Sequence, residues 1–409
     1  MRVAIAILLA SFFLSETPFA LASSEGDLNQ QVEEISSYIK FASGKTTPLS
    51  ERSLREVILN GASFGVVSQE KNGHFGYEYV PAEDQYRNDD NMIRQAGMLF
   101  MLSEVYKHQT HKDQKIAEAI EKSINYFKTQ TIKSRTSDGN FSCITNKPGT
   151  KVCSLGTASL ALIGILNYIE AQPDKKSQYK DLVTQYTQYL VAARFPNAGY
   201  SGRYTLTNGF GKDESSFYNG EAMLALVKYY QYHPEESVKQ LLLDSFAYLD
   251  NQPTPDPNLY LWIMAALKDM QQLWPQVAFV TYTSEFTNTR LNTARALHFT
   301  PRNHCALYEG LTSAHSILKE QKSGTDLNAL YNEIEFGLSR MAYLQVDQKN
   351  SYQLTATPEK VALLKIPNLT IAKGGFLTAT DQLTERIDFT QHCVSSYLQK
   401  LTAIDGTQL

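Results

Sequence analysis

Two short segments place a glutamate within three residues of a tyrosine in stretches of otherwise apolar sequence. Residues 218–221 read Tyr-Asn-Gly-Glu, and residues 308–310 read Tyr-Glu-Gly. Each acid falls near the start of a segment that is apolar on nearly all helical faces, and such a helix is typically buried. Buried polar groups persist when they are hydrogen-bonded or line a wet cavity. Glu221 and Glu309 are therefore the first candidates for acid or base chemistry.

Other residue types suited to chemistry lie near the starts of comparable segments. Arg94 lies at the start of one of them, where its positive charge is unfavourable next to the positive end of the helix dipole. It therefore needs an acidic partner, either a buried glutamate or an acidic group of a substrate. His304 and His392 can exchange protons near neutral pH, although a lone histidine at such a place more often packs or caps a helix. The residues that we assign as catalytic are Glu221, Glu309, Tyr218 and His304, and those that we assign to substrate binding are Arg94, Trp262, Asn219, Glu214 and His392.

Most other acids near these starts have a simpler interpretation. Asp89, Asp90, Asp213, Asp256 and Asp388 are expected to be helix caps or first-turn acids, which the positive end of the helix dipole favours. Glu221 and Glu309 differ from them because each lies inside apolar text.

The elements that must position these residues form a repeat. Six segments apolar on all faces begin near Ile93, Ser154, Ser216, Asn258, Asn303 and Asp388. Between them lie helices with one apolar face, as where Ile116, Ile120, Ile124 and Phe127 recur at helical spacing. One-sided helices shield all-round apolar ones from water, and a closed ring gives every inner helix two neighbours. The sequence predicts an all-α fold, an (α/α)6 toroid of six helical hairpins.

The connections between helices differ at the two ends of this ring. A glycine followed by an aromatic residue recurs in the connections that lead into inner helices, in residues 73–79, 138–141, 198–202 and 374–376. These stretches predict short β-hairpins at the end where the inner helices begin, which we call the mouth. Six helix N-termini converge there, and their free N–H groups and dipoles favour carboxylate or sulfate groups. The mouth is therefore the predicted substrate side.

Composition and the first residues limit the class of protein. The chain has 409 residues, a formal net charge of -4 and 20% charged residues, so it does not resemble a nucleic-acid binder. Residues 1–22 pair an early arginine with a short apolar run and end in Ala-Leu-Ala, which predicts a signal peptide; an uncleaved anchor is the alternative. We expect residues 23–409 to form one toroid domain of an exported protein, periplasmic or extracellular, without a membrane span.

Four cysteines remain in the exported chain, an even number in an oxidising compartment. Cys143 and Cys153 flank a turn-like stretch at 146–149, whereas Cys305 and Cys393 lie near the starts of neighbouring inner helices. Both pairs are candidate disulfides, and four free buried thiols are the alternative.

Motifs of other chemistries are weak or missing. Residues 61–65 read Gly-Ala-Ser-Phe-Gly, which matches the Gly-x-Ser-x-Gly pattern of a nucleophile elbow. Such an elbow needs a strand before it and a helix after it, but the sequence before Ser63 has a helical pattern. The sequence contains no phosphate loop, dinucleotide fingerprint, His-Glu-x-x-His or calcium loop. We therefore expect neither a cofactor nor a metal.

The ring of hairpins, the glycine-aromatic turns and the acid-bearing inner helices together resemble the six-hairpin glycosidase superfamily. That superfamily includes unsaturated glucuronyl hydrolases and the helical domain of glucuronyl epimerases, and residues 94–97 (Arg-Gln-Ala-Gly) and 218–222 also resemble an exported bacterial branch with this architecture. The resemblance implies a carbohydrate-active protein that acts on an acidic, uronate-containing poly- or oligosaccharide by hydrolysis, elimination or epimerisation. The alternative is a non-catalytic sugar-binding or assembly factor of an envelope polysaccharide pathway, so enzymatic activity stays open.

Overall fold

The structure is a computed structural model that describes residues 48–136, 139–298, 300–319, 321, 323–357 and 360–409. The expected signal peptide lies outside these ranges. Within them the chain forms twelve helices of 13 to 20 residues. They are α1 (Glu51–Val67), α2 (Met92–His108), α3 (Gln114–Thr129), α4 (Leu155–Ala171), α5 (Lys176–Ala192), α6 (Ser216–Tyr232), α7 (Glu236–Asp250), α8 (Tyr260–Leu273), α9 (Val277–Ala296), α10 (Cys305–Leu318), α11 (Leu327–Met341) and α12 (Ile387–Gln399).

The even-numbered helices form the inner ring. Each of them packs against the next, and α12 packs against α2, which closes the ring. The odd-numbered helices lie outside and cover it: α3 follows α2 as a hairpin, and α1 from the start of the chain pairs with α12 from its end. Inner helix α4 is buried along nearly its whole length, whereas outer helix α3 alternates buried and exposed residues. The predicted (α/α)6 toroid is confirmed, and the inner helices begin within two residues of the expected positions.

Connections at the two ends of the ring differ as expected. Four of the connections that lead into inner helices carry short antiparallel strands, whereas inner helices pass to outer ones through short loops. One sheet has the order β10-β1-β2 and another β5-β6-β7, and two hairpins pair β3 with β4 and β8 with β9. The strands are β1 (Glu78–Val80), β2 (Gln85–Tyr86), β3 (Thr131–Thr136), β4 (Gly139–Ile144), β5 (Val152–Ser154), β6 (Arg203–Thr205), β7 (Gly209–Phe210), β8 (Ser351–Thr357), β9 (Lys360–Lys365) and β10 (Glu385–Arg386).

Three glycine-aromatic turns are attached to inner helices in the same way. The backbone N–H groups of Phe75, Tyr200 and Phe376 donate to the side chains of Gln95, Asn219 and Thr390, at 2.8, 3.1 and 3.0 Å. In each turn the residue two positions before the aromatic has a positive φ: Gly73, Ala198 and Gly374. A Cβ at Gly73 or Gly374 would collide with the backbone of an outer helix, so glycine permits both the φ angle and the close approach.

Two disulfides close segments of the mouth. Cys143 bonds Cys153, and Cys305 bonds Cys393, so both predicted pairings are confirmed and the alternative of four free thiols is wrong. Ser63 is exposed in the middle of α1, which excludes a nucleophile elbow there. None of the helices in the described ranges is long and apolar enough to cross a membrane.

Candidate active site at the mouth of the ring

The candidate residues are scattered through the sequence but lie at one end of the ring. Arg94 is in the first turn of α2 and Trp262 in the first turn of α8. Glu221, Glu309 and His392 lie four or five residues after the first residues of α6, α10 and α12. Because all inner helices begin at the mouth, the fold brings these five side chains to the same level of the ring.

Glu221 is the carboxyl group with the most unusual surroundings. It is 3% exposed, and within the described residues its Oε2 atom has no hydrogen-bond partner. The carboxyl packs beside Gly156 of the neighbouring α4, where a Cβ would collide with it and with the Tyr218 ring. Burial raises the pKa of Glu221 to about 8, so this side chain is mostly protonated at neutral pH. A neutral carboxylic acid of this kind can donate a proton to a leaving group.

Glu309 is also buried but has a partner. Its Oε2 shares a 2.8 Å hydrogen bond with Nδ1 of His392 on the adjacent inner helix. Burial raises the pKa of Glu309, and the contact with His392 opposes that effect. The imidazole is the more exposed of the two, with 18% of its side chain accessible against 1% for the glutamate. His392 and Glu309 therefore form a pair in which the histidine contacts solvent and the acid orients it.

Aromatic rings fill the centre of the ring just below this pair. The Trp262 and His392 ring centroids are 5.9 Å apart, and those of Trp262 and Phe100 are 6.2 Å apart. Helices α2 and α8 are the first and fourth members of the six-membered ring, so Phe100 and Trp262 meet across its axis. Both rings are 4% exposed. Trp262 therefore forms the base of the mouth rather than an open sugar platform.

The partner of Arg94 is an aspartate, Asp388, and not the buried glutamate that the sequence analysis considered. The Nε atom of Arg94 lies 2.9 Å from Oδ2 of Asp388 in the first turn of α12, and its guanidinium lies over the Tyr77 ring. Arg386 contacts the same carboxylate through two hydrogen bonds of 2.6 and 2.9 Å. Two guanidinium groups thus share one carboxylate, which leaves an excess positive charge at this part of the mouth.

Asn219 and Glu214 hold a loop in place. Asn219 accepts a hydrogen bond from the Tyr200 backbone and donates one to Glu214. The other Glu214 oxygen accepts from Tyr248, and a Cβ at Gly199 would collide with this carboxyl. These contacts give both residues a positioning role in the turn that precedes α6; their assignment to substrate binding stays a prediction.

His304 faces away from the other candidates. Its Nε2 shares a 2.6 Å hydrogen bond with Thr300, and its backbone N–H contacts Met341 at the end of the outer helix α11. Burial, together with the nearby Arg340 and Arg302 guanidinium groups, lowers its pKa to about 4. His304 and Tyr308 are four residues apart and share the face that packs on α11, whereas Glu309 faces the ring interior. The catalytic assignment of His304 gains no support from this position.

A groove of about 440 Å³ opens at the mouth beside Tyr218. Its walls come from the starts of α2, α4 and α6, with Asn91, Thr157 and Ser215 among the polar side chains. Lys147 and Arg203 supply positive charge from the connecting strands and loops. Tyr218 separates Glu221 from this groove, and burial raises the pKa of its phenol. The groove thus combines hydroxyls, amides, two cations and the carboxyl groups of Asp90, Asp213 and Glu214 next to a protonated carboxyl.

Glu385 is a buried acid that the sequence analysis did not identify as a candidate. It precedes α12 in β10, is fully buried, and both of its carboxyl oxygens lack a hydrogen-bond partner within the described residues. Burial raises its pKa well above the ordinary value. Glu385 lies five residues before Thr390, as Asp90 lies before Gln95 and Glu214 before Asn219, and this spacing is the signal that links it to the turns. Within the described residues, no three His, Cys, Asp or Glu side chains are grouped as metal ligands would be.

The six helical hairpins define a protein with the (α/α)6 toroid fold. No family model matches the chain, and no curated protein matches it. Solved structures do match in fold.

A family 76 glycoside hydrolase from a bovine Bacteroides thetaiotaomicron strain has a TM-score of 0.60 at 10% identity, with 86% of this chain and 78% of that chain covered. A sugar epimerase from a ruminal bacterium has a TM-score of 0.59 at 11% identity, with 88% and 100% covered. A Salegentibacter α-1,6-mannanase in complex with α-1,6-mannotriose has a TM-score of 0.54 at 12% identity, with 85% and 98% covered.

Proposed function

We propose that this chain is an exported carbohydrate-active enzyme that acts on an acidic, uronate-containing poly- or oligosaccharide at the mouth of the ring. The observation that carries the proposal is Glu221, a buried carboxyl with a pKa of about 8 beside a polar groove. Such a group can supply the proton that hydrolysis, elimination and epimerisation of a sugar all require. Similar folds in solved structures belong to a mannanase and a sugar epimerase, which supports a sugar as the substrate.

The acidic character of the substrate is supported by charge at the mouth. Arg94 and Arg386 share the single carboxylate of Asp388. Lys147 and Arg203 line the groove together with Asp90, Asp213 and Glu214, so the excess positive charge lies at the arginine pair. A uronate carboxylate would be bound there by charge-assisted hydrogen bonds and by the positive ends of the inner helices. Neutralising the carboxylate also stabilises the charge that develops when the adjacent C–H proton is removed.

Export is supported by the two disulfides, because such bonds persist in oxidising compartments. The predicted signal peptide at residues 1–22 agrees with this, and residues 23–409 would then be the exported domain.

The test is a screen of the purified protein against uronate-containing polysaccharides. New reducing ends would report hydrolysis, absorbance of an unsaturated product would report elimination, and a changed ring configuration in NMR spectra would report epimerisation. We expect one of these signals, and we expect Glu221→Gln to lower turnover by roughly 100-fold or more while the protein still folds. Glu118→Gln on the exposed face of α3 is the matched control. Turnover that is equal in both variants would remove Glu221 from the catalytic assignment.

A non-catalytic sugar-binding factor is the second candidate, and it is favoured by how firmly the mouth residues are held. Arg94 is paired with Asp388, Glu309 with His392, and Trp262 is buried. Saturable binding of an acidic oligosaccharide, without any of the three products and without change in Glu221→Gln, would establish this alternative.

A further inference from the structure

A second cavity lies at the opposite end of the ring, where the inner helices end, which we call the floor. It has a volume of about 680 Å³ and is lined by residues from the last turns of the inner helices α2, α4, α6, α8 and α10 and from the end of α12. A cavity bounded by all members of the ring lies on its axis. Its volume is within the roughly 300–1,000 Å³ of sites that bind small molecules.

This floor cavity is separate from the mouth. Phe100 and Trp262 meet across the axis and are both buried, and neither lines the floor cavity or the groove beside Tyr218. A ligand bound at the floor would therefore not touch Glu221. The floor cavity needs its own explanation.

Four lysines line the floor cavity, and they are not all neutralised in the same way. Lys107 forms a 2.8 Å ion pair with Glu170, and Lys228 forms a 2.7 Å ion pair with Asp269. Lys319 donates to the Ala403 carbonyl at 3.2 Å.

Lys268 makes no hydrogen bond or ion pair among the described residues. The remaining acid of the floor cavity is Glu104, which is buried and accepts a hydrogen bond from Ser395 at 3.2 Å. Burial raises the pKa of Glu104, and the nearby charges of Lys268, Lys228 and Lys107 oppose that rise. His108 is also on the wall, but burial lowers its pKa to about 4, so it is neutral at physiological pH.

The charges of the floor cavity therefore do not balance. Lysines at helix C-termini do complement the helix dipoles, and this accounts for the presence of several of them. It does not account for a cavity on the axis that is lined by four lysines and three acids, with Lys268 outside the ion pairs of the described residues.

Amide side chains cover the rest of the wall. Gln399 accepts hydrogen bonds from Thr312 and Ser313 at 3.1 and 2.7 Å, so its amide N–H groups remain free to donate into the floor cavity. Asn167 is 3% exposed to solvent and lines the same space. Gln231 and Gln272 complete this set. Primary amides pair with hydroxyl groups in both directions, because each carries a donor and an acceptor.

We propose that the floor cavity is a second binding site, for a small hydroxyl-rich anion such as a sugar acid or a sugar phosphate. Lys268 pairs with the carboxylate or phosphate, Lys319 adds positive charge, and the amides of Asn167, Gln231, Gln272 and Gln399 bind the hydroxyls. The two anion types share this chemistry, and the experiment distinguishes them.

The experiment is calorimetric titration of the full protein with glucuronate, glucose 6-phosphate and, as a neutral control, glucose. We expect saturable binding of at least one anion and much weaker binding of glucose. Lys268→Met keeps the length of the side chain but removes its charge, and it should weaken binding by roughly tenfold or more, as the loss of a charged hydrogen bond does. Lys180→Met on the exposed face of α5 is the matched control and should bind as the unaltered protein does.

Two further variants locate the bound anion and guard against misfolding. Gln272 is exposed, so its replacement by leucine should not disturb the fold. Gln272→Leu should weaken anion binding at the floor several-fold. Arg94→Met alters the mouth and can remove only binding that occurs there, so the binding that Lys268→Met weakens should persist in it. The proposal is wrong if no anion binds saturably, if glucose binds as tightly as the anions, or if binding survives Lys268→Met and Gln272→Leu but is lost in Arg94→Met. That last result would place the anion at the mouth and leave the proposed function standing.

Discussion

At the scale of single residues, a buried carboxyl oxygen without a hydrogen-bond partner in the described residues distinguishes Glu221 and Glu385 from the paired acids of the mouth. Asp90 accepts from Gln95 and contacts His74, Glu309 bonds His392, and Asp388 bonds two arginines. Within the described residues no ion pair joins Glu221 to a cation, and Arg94 is paired with Asp388 instead. The sequence left open whether Glu221 only neutralises Arg94, and the structure excludes that role.

This difference predicts how stability depends on pH. The pKa of Glu221 rises from an ordinary 4.5 to about 8 in the folded protein. Its contribution to stability is therefore fully present below about pH 4.5 and is lost as the pH rises through 8. The loss is on the order of a few kcal/mol. Glu221→Gln should therefore fold normally and be more stable than the unaltered protein at pH 9. Urea unfolding at pH 5, 7 and 9 checks this, and parallel pH curves for the two proteins would contradict it.

Asp388 is expected to matter more for stability than its place in a first turn suggests. Asp388→Asn leaves Arg94 and Arg386 without a shared anion, and both side chains are partly buried. We expect the free energy of unfolding to fall by about 1–3 kcal/mol, because partly buried charges lose their partner. Asp181→Asn on the exposed face of α5 is the control and should change the free energy of unfolding by less than about 0.5 kcal/mol. Similar losses in both variants would show that the cluster is too well solvated to contribute.

At the scale of elements, the repeated attachment of glycine-aromatic turns to inner helices explains how the mouth is held open. Gln95, Asn219 and Thr390 accept from turn backbones, and each follows an acid by five residues. The buried aromatic fixes the depth of the turn and the side-chain acceptor fixes its orientation. The sequence showed the glycine-aromatic pattern, but it did not show which helix residue accepts from it, because acceptor and turn are 14 to 20 residues apart.

Gln95 makes the strongest test of this attachment. Its side chain accepts from the Phe75 N–H at 2.8 Å and donates to the Phe75 carbonyl at 2.8 Å, and it is fully buried. Gln95→Met keeps the volume but leaves both backbone groups unpaired, at a cost of roughly 1–3 kcal/mol for each group. Gln178→Met on exposed α5 is the control. Thermal unfolding measures the effect, and a melting temperature of Gln95→Met equal to that of the control would show that water replaces the amide.

At the scale of the whole molecule, closure of the ring joins the two ends of the described chain. Helix α12 packs on both α2 and α1, and Cys305–Cys393 links the fifth and sixth inner helices. A cross-link over 88 residues restricts the unfolded chain more than the 10-residue Cys143–Cys153 cross-link does.

The cysteines of the native protein should accordingly be inaccessible to thiol reagents unless a reductant is added. The double variant Cys305→Ser/Cys393→Ser should lose about 4 kcal/mol of unfolding free energy, in the range of long loops, and Cys143→Ser/Cys153→Ser should lose less. Thiol titration and chemical unfolding measure both effects. Rapid labelling of native cysteines, or equal losses in the two variants, would oppose this expectation.

The sequence by itself indicated both disulfides as candidates, which the structure confirms. It determined the ring, the layer of each helix and the mouth. These follow from local periodicity: apolar residues on all faces mark an inner helix, and a helix of known length and direction places its first turn at a known end. The same reasoning placed Glu221, Glu309, Trp262 and Arg94 at one end of the ring.

Only the tertiary structure decided their partners, because a contact between neighbouring helices depends on how each helix is rotated about its axis. Rotation paired Arg94 with Asp388 and Glu309 with His392, and it turned His304 towards α11. It left a buried oxygen of Glu221 without a hydrogen-bond partner among the described residues. It also directed Lys268 into the floor cavity, which no local pattern marks.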